Sequence, residues 1–392
     1  MFRTLKNRSF SDRIKSNREL VLSRMKSFYQ KLANLAVNYS IGIKKDQRVY
    51  VWGPTLAEDL FQALYVEILK AGAYPLLFLD IEGREELLFK HGSEEQIIYL
   101  DDIFKSIASE FDSLIYIFGE YNTRKLSLVV PKLVVKYYGS ETRSEINKII
   151  DERYLKGEYK WVGIPYPCHS LAQEANMDLF SYFEFVEKAL FLDKEDPVNE
   201  WKKIEEKQNS IVKILNSTEK VNVFGEDTNL SFSVKGRTWE SACGHENLPD
   251  GEVYTSPVEE SVNGHIRFTY PGIYLGKEIE NIYLEFKDGK VTNATADKAE
   301  ELLHEILSIE NANSMGEFAI GTNYGITNFT KNMLFDEKIG GTLHCALGLG
   351  LVECGGKNEC ALHWDILKDM KAQGSKIIVD GKIIYEEGQW KI

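Results

Sequence analysis

Cysteine is scarce in this chain: Cys168, Cys243, Cys345, Cys354 and Cys360 are the only five among 392 residues, an odd number thinly spread. That excludes the dense disulfide framework of a small secreted domain, and the thiols read as reduced, as in a cytoplasmic protein. Long apolar runs are also missing. Residues 74–79 and 114–118 have the length of buried strands and fall far short of the ~18 residues that span a bilayer, so no membrane partner is expected. Positive charge is in deficit, with 47 Lys and Arg against 60 Asp and Glu and a formal charge of −13, which argues against a nucleic-acid surface. No GxGxxG or P-loop follows Trp52-Gly53-Pro54, so a nucleotide reading of that turn falls. There is no internal repeat or low-complexity tract. The first 26 residues are basic (Arg3, Lys6, Arg8, Arg13, Lys15, Arg18, Arg24 and Lys26 against Asp12 and Glu19) but lack the apolar core of a signal peptide. They read as a solvated amphipathic helix with Leu20, Val21, Met25, Phe28, Tyr29 and Leu32 inward, rather than as a transit peptide or membrane-surface helix.

What is present is an ordinary globular composition on a chain long enough for two domains. Residues 1–195 alternate short apolar strands (47–53, 74–80, 113–118, 161–165) with helical stretches such as 56–70, the pattern of an α/β domain with a parallel sheet. Four charges and a proline in residues 193–197 mark a boundary. After it, Trp201, Ile204, Ile211, Ile214 and Leu215 recur at helical spacing. Residues 196–392 then turn β-rich, an α+β domain with hairpin chemistry at Lys287-Asp288-Gly289-Lys290 and Asp380-Gly381.

Acidic and histidine positions stand in glycine-punctuated pieces of this second part: Glu252, Glu317, His344, and the pair His363 and Asp365. In residues 361–367 apolar side chains alternate with the pair, so a strand puts His363 and Asp365 on one face and Leu362, Trp364 and Ile366 on the other. Three carboxylates and two imidazoles make a hard oxygen and nitrogen ligand set suited to two divalent ions and to hydrolysis.

Four segments carry a resemblance: PDGEVYTSPVEES (249–261), GEFAIG (316–321), LFDEKIGGTLHCALG (334–348) and GGKNECALHWD (355–365). In this order they resemble the signature blocks of the thermophilic aminopeptidase family, dinuclear metallopeptidases of the aminopeptidase T and S type. DPVNEW (196–201) is similar to the start of that family's catalytic domain. The resemblance implies that Glu252, Glu317, His344, His363 and Asp365 bind two divalent ions, zinc or cobalt first, with manganese and magnesium as alternatives. It implies Glu252 or Glu317 as the catalytic proton carrier, short peptides with a free amino terminus as substrates, and a homodimer. Two such ions polarise a scissile carbonyl and lower the pKa of a bound water. The family's tyrosine seven residues after the third-block histidine is Leu351 here. Leucine cannot donate to an oxyanion, a loss on the order of 10² to 10³ in turnover, unless Tyr254 or Tyr324 takes its place.

Around these blocks the readings stay open. Asp336, Glu337 and Lys338 orient ligands or form an exposed turn; His245 and Glu246 line an entrance or belong to a surface loop. Asn358 fixes its loop or touches substrate, and Cys354 and Cys360 are thiolate ligands, a redox switch or plain thiols. Cys345 should face away from His344. The sequence thus points to a metal-dependent aminopeptidase, against a metal-binding relative silenced through Leu351 or a metal-dependent amidase.

Overall fold

A computed structural model describes the backbone of residues 10–392 and the side chains from residue 23 onward, Pro131 excepted. Arg3, Lys6 and Arg8 of the basic segment lie outside the described residues. A helix spans Phe10–Leu35 and passes into a π turn, Ala36–Ser40. It buries Phe28, Tyr29 and Leu32, with Met25 packed at the edge, so these four positions of the inner face read from the spacing are packed, while the side chains of Leu20 and Val21 lie outside the described residues.

Four parallel strands follow, Arg48–Pro54, Tyr74–Asp80, Ser113–Phe118 and Lys160–Pro165, lying in the sheet in the order second, first, third, fourth. Val49, Val51, Ile115, Ile117, Val162 and Ile164 are buried in one core with Leu60, Phe61, Leu64 and Ile68. The latter four come from the helix Glu58–Lys70, at the spacing of one helical face. Each such side chain contributes about 1.5–3 kcal/mol by leaving water.

Asp196 caps the next helix, Pro197–Leu215, by accepting the Asn199 N–H at 3.1 Å. Its buried stripe is Trp201, Gln208, Ile211 and Leu215. Ile214 departs from the expectation and is 41% exposed, because it stands one residue off that stripe.

The remainder is built from an eight-stranded antiparallel sheet, a five-stranded one and a two-stranded hairpin, Gly272–Tyr274 with Lys277–Ile279. In the five-stranded sheet the order is His363–Asp369, Thr342–Gly348, Met315–Gly321, Glu252–Thr255, Glu240–Ala242, with all neighbours antiparallel. Both hairpin turns form as the sequence indicates: Asp288 and Gly289, and Asp380 and Gly381, all have positive φ, the conformation a tight hairpin turn needs. One face of the five-stranded sheet supplies Val253, Phe318, Ile320, Leu343, Cys345, Leu347, Trp364 and Ile366 to a core whose buried members lie within residues 211–385. The other core reaches from the first helix to Trp201, Leu248, Phe335, Ile339 and Leu367, so it crosses residue 196. Among the described residues no helix is long and apolar enough to cross a membrane.

Candidate metal centre

Strand geometry sorts the five-stranded sheet by parity. With Phe318 and Ile320 committed to the core, Glu317 must point the other way. Register extends that face across the sheet: Glu317 lies opposite Ala346, and Ala346 opposite Asp365. Ala319 lies opposite both His344 and Tyr254, Gly321 opposite Glu252, and Gly348 opposite His363. Each ligand-type side chain therefore has alanine or glycine as a cross-strand neighbour, which leaves room for the long side chains to converge.

They do converge. Nε2 of His344 lies 3.4 Å from Glu252 Oε2, 3.6 Å from Glu317 Oε1 and 3.9 Å from Asp365 Oδ1. Nε2 of His363 lies 3.0 Å from Glu317 Oε2 and 3.5 Å from Asp365 Oδ1. Two groups with metal-ligand spacing result, Glu252–Glu317–His344 and Glu317–His363–Asp365, and Glu317 belongs to both. A third, Glu337–His344–Asp365, adds a carboxylate that the sequence offered only as an orienting group or an exposed turn. Glu252, Glu317, His344 and Asp365 are buried, while the His363 side chain is 29% exposed and forms the open rim.

The donor set fits metal ions on an observation of its own. Glu252 Oε2, Asp365 Oδ1 and His344 Nδ1 are buried without a hydrogen-bond partner, and a buried carboxylate oxygen left so is costly unless a cation or proton meets it. Cys345 faces the opposite core. Cys354 is buried and Cys360 donates to the Glu310 carbonyl; neither joins these groups.

Around the cluster sits a frame only partly visible in the sequence. The Asp336-Glu337-Lys338 turn is folded in: Asp336 is fully buried, accepting from the Thr330 amide and hydroxyl, and Lys338 is 3% exposed. The Lys338 ammonium bonds Glu252 Oε1, lies 2.8 Å from Glu337 Oε1 and 3.6 Å from Asp250 Oδ1. Asn323, which sequence reasoning passed over, is wholly buried and donates to the carbonyls of Ala189 (3.0 Å) and Asp250 (2.8 Å). It ties the N-terminal part to the loop that delivers Glu252. Gly251 next to it has φ +129°, and a Cβ there would stand 2.7 Å from Asn323 Cβ, so no larger residue fits. The signal available was a charged triplet enclosed by Phe335 and Ile339, and an asparagine between glycine-rich turns.

Burial and mutual charge set the protonation states. Burial pushes Glu252 up to about 7, against the pull of Lys338, and Asp250 up to about 6. Burial likewise raises Glu337 and takes Asp336 up to about 8. Burial also opposes ionisation of Glu317, yet hydrogen bonds with His344 and His363 outweigh it and hold this carboxyl below its ordinary range. Against desolvation, His344 is raised to about 9 by Glu317 and Glu252, and His363 to about 11 by Asp365 and Glu317. In the absence of ions, protons on the imidazoles balance the carboxylates, and those are the protons a metal ion displaces.

The remaining positions resolve as follows. The Tyr324 hydroxyl donates to the Gly388 carbonyl at 2.8 Å and is engaged away from the cluster. Tyr254 lies on the Glu252 face, two residues along its strand. The Leu351 amide donates to Ser256 Oγ at 2.9 Å. Asn358 donates to the carbonyls of Gly348 and Asn311, which is the loop-fixing reading.

A buried, carboxylate-rich cluster with two imidazoles, carried on a β-rich unit beside a parallel α/β unit, defines the class as metal-dependent enzyme. The family follows from comparison: residues 25–390 match the thermophilic metalloprotease family (M29), and the chain belongs to it. Aminopeptidase 2 of Geobacillus stearothermophilus is 25% identical over 94% of this chain and 99% of its own. Aminopeptidase AmpS of Bacillus subtilis is 30% identical over 53% of this chain and 58% of its own. The solved structure of AmpT from Thermus thermophilus superposes with a TM-score of 0.80 at 22% identity, covering 94% of this chain and all of that one. A fold of this kind also occurs in a 2,5-dihydroxypyridine dioxygenase from Pseudomonas putida (TM-score 0.54, 12% identity, 94% of this chain and 97% of that one), so the reaction has to be argued from the site.

Proposed function

We propose that this chain is an aminopeptidase that removes amino-terminal residues from short peptides at a dinuclear centre for divalent ions, zinc or cobalt first. Glu252, Glu317 and His344 would hold one ion, and Glu317, His363 and Asp365 the other. The observation that carries this reading is the placement of Glu317: its two carboxylate oxygens face different imidazoles, Oε1 toward His344 and Oε2 toward His363, as a bridging carboxylate must. When bound, such ions polarise the scissile carbonyl and make water a competent nucleophile near neutral pH.

The chain's own residues supply the rest. Glu252, whose Oε1 is held by Lys338, would take a proton from the attacking water and return it to the leaving amine. Lys338 holds Glu252 from the side away from His344 and neutralises Glu337 and Asp250. Substrate would approach over the exposed His363 edge. The division at residues 195 and 196 rests on the four charges and the proline of residues 193–197, the homodimer on the family resemblance, and the cytoplasmic setting on the sparse cysteines.

The test is amino-acid release from short peptides and aminoacyl amides by purified protein with zinc, cobalt or manganese, against a chelated control. Metal-dependent release confined to the first residue supports the reading. Protein that binds two ions per chain and releases nothing overturns it.

A further inference from the structure

Away from the Glu317 cluster, a second set of ligand-type side chains meets where the N-terminal helices pack on the loop leading to Glu252. Glu205 comes from the helix Pro197–Leu215, and Cys243 and His245 from the loop after the strand Glu240–Ala242. One carboxylate oxygen, the Cys243 sulfur and one imidazole nitrogen lie within 4.8 Å of one another.

Orientation adds to proximity. Nδ1 of His245 sits 3.2 Å from the Ser40 carbonyl oxygen. A carbonyl only accepts, so Nδ1 carries the hydrogen, and Nε2 faces Glu205 Oε1 at 3.2 Å. An imidazole held by Nδ1–H on a backbone carbonyl is the arrangement that presents Nε2 to a metal ion. Glu205 borders the same frame. Its other oxygen lies 3.2 Å from the Tyr39 hydroxyl, which donates at 2.8 Å to the Cys243 carbonyl, and the Tyr39 ring stacks on His245 with centroids 4.8 Å apart. The thiol is at the buried end, with Cys243 4% exposed, while the His245 and Glu205 side chains are 36% and 33% exposed. That gives an ion a route from solvent. An imidazolium–carboxylate pair would account for His245 and Glu205 alone; it gives the sulfur beside them no part.

We propose that Glu205, Cys243 and His245 form a metal site separate from the Glu317 cluster, taking one zinc-like divalent ion with the fourth position open to water. One thiolate, one imidazole and one carboxylate suit a borderline-soft tetrahedral ion and not calcium or magnesium. On binding, the Cys243 thiol loses its proton to solvent and no redox change occurs. The ion joins the π turn at Ser40, the helix carrying Glu205 and the loop running to Glu252. The Gly244 amide between the two ligands donates to Asp250 at 2.8 Å, and Asp250 lies 3.6 Å from Lys338, so the site braces the frame of Glu252.

Cobalt distinguishes this site from the other, because the Glu317 cluster offers only oxygen and nitrogen donors. Full-length protein stripped with chelator and titrated with Co²⁺ should develop a near-ultraviolet thiolate-to-cobalt charge-transfer band that saturates with one equivalent of the bound ion. Cys243→Ser should abolish the band and lower the bound metal by one equivalent. His245→Gln, at the exposed edge, should weaken the affinity that the band reports at least tenfold and decides the matter if the serine variant does not fold. Absence of the band in the unmodified protein, its survival in Cys243→Ser, or unchanged affinity in folded His245→Gln would overturn the proposal. Since the readout is the sulfur band and not peptide cleavage, it stands or falls independently of the aminopeptidase reading.

Discussion

Replacing Lys338 with methionine tests the electrostatic frame of the candidate centre. Lys338 is 3% exposed and is the ammonium shared by Glu252, Glu337 and Asp250. Methionine keeps most of the volume and removes the charge, leaving the buried Glu252 and Asp250 and the part-exposed Glu337 without their cation. Breaking a buried pair by deleting one partner costs about 3–5 kcal/mol. The cost must depend on pH. Glu252 and Asp250 already have raised pKa values, about 7 and about 6, with Lys338 in place, and loss of the ammonium raises them further. An acid whose pKa is higher folded than unfolded keeps its contribution below the unfolded pKa and loses it as pH rises through the folded value. The variant should therefore lie close to the parent near about pH 5 and fall behind it above about pH 7, by about 3–6 °C in Tm for a chain of this size. The assay is thermal unfolding of chelated protein across that pH range, followed by the same series with zinc, where ions supply the missing positive charge and the gap narrows. A deficit that is equal at acid and alkaline pH would refute the electrostatic reasoning and leave only a packing role for Lys338.

Three further outcomes follow from the geometry. His363→Ala should reduce bound metal at the candidate centre from two ions to one and abolish peptide cleavage; activity surviving the change would remove this centre from the mechanism. Because His344 and His363 are raised to about 9 and about 11 without ions, metal uptake there must release protons and tighten as pH rises toward those values; calorimetry in buffers of different ionisation enthalpy would contradict this if no proton release appeared near pH 7. Leu351→Tyr should raise turnover at least tenfold if a phenol donor is missing, and if it does not, Tyr254→Phe should lower turnover by a similar factor, since Tyr254 lies on the same face as Glu252; no effect from either would mean that no phenol serves the reaction.

Much of the architecture was legible in local order. Alternation through residues 361–367 assigns His363 and Asp365 to one face because the side-chain period of a strand is two, and Asp-Gly at 288 and 380 marks hairpins because those residues tolerate positive φ. The parallel order of the first sheet follows from strands alternating with helices. Local period says less about partners. Ile214 matched the apolar spacing of its helix yet faces solvent, since the packed stripe runs through Gln208, whose amide donates to Ala242 and Thr322. The charged turn 336–338 read equally well as exposed or as an orienting group. Only tertiary structure buried it, because Glu252, 86 positions earlier, supplies the counter-charge that makes burial of Lys338 affordable.

The sequence by itself determined which residues share a face and that their donors are oxygen and nitrogen, because both are properties of short segments. Tertiary structure decided which segments become neighbours: Glu317 between two imidazoles, Tyr324 turned toward Gly388, Asn323 joining Ala189 to Asp250, and His245 and Cys243 beside Glu205. Such meetings depend on how sheets and helices pack across long stretches of chain, and no local period records them.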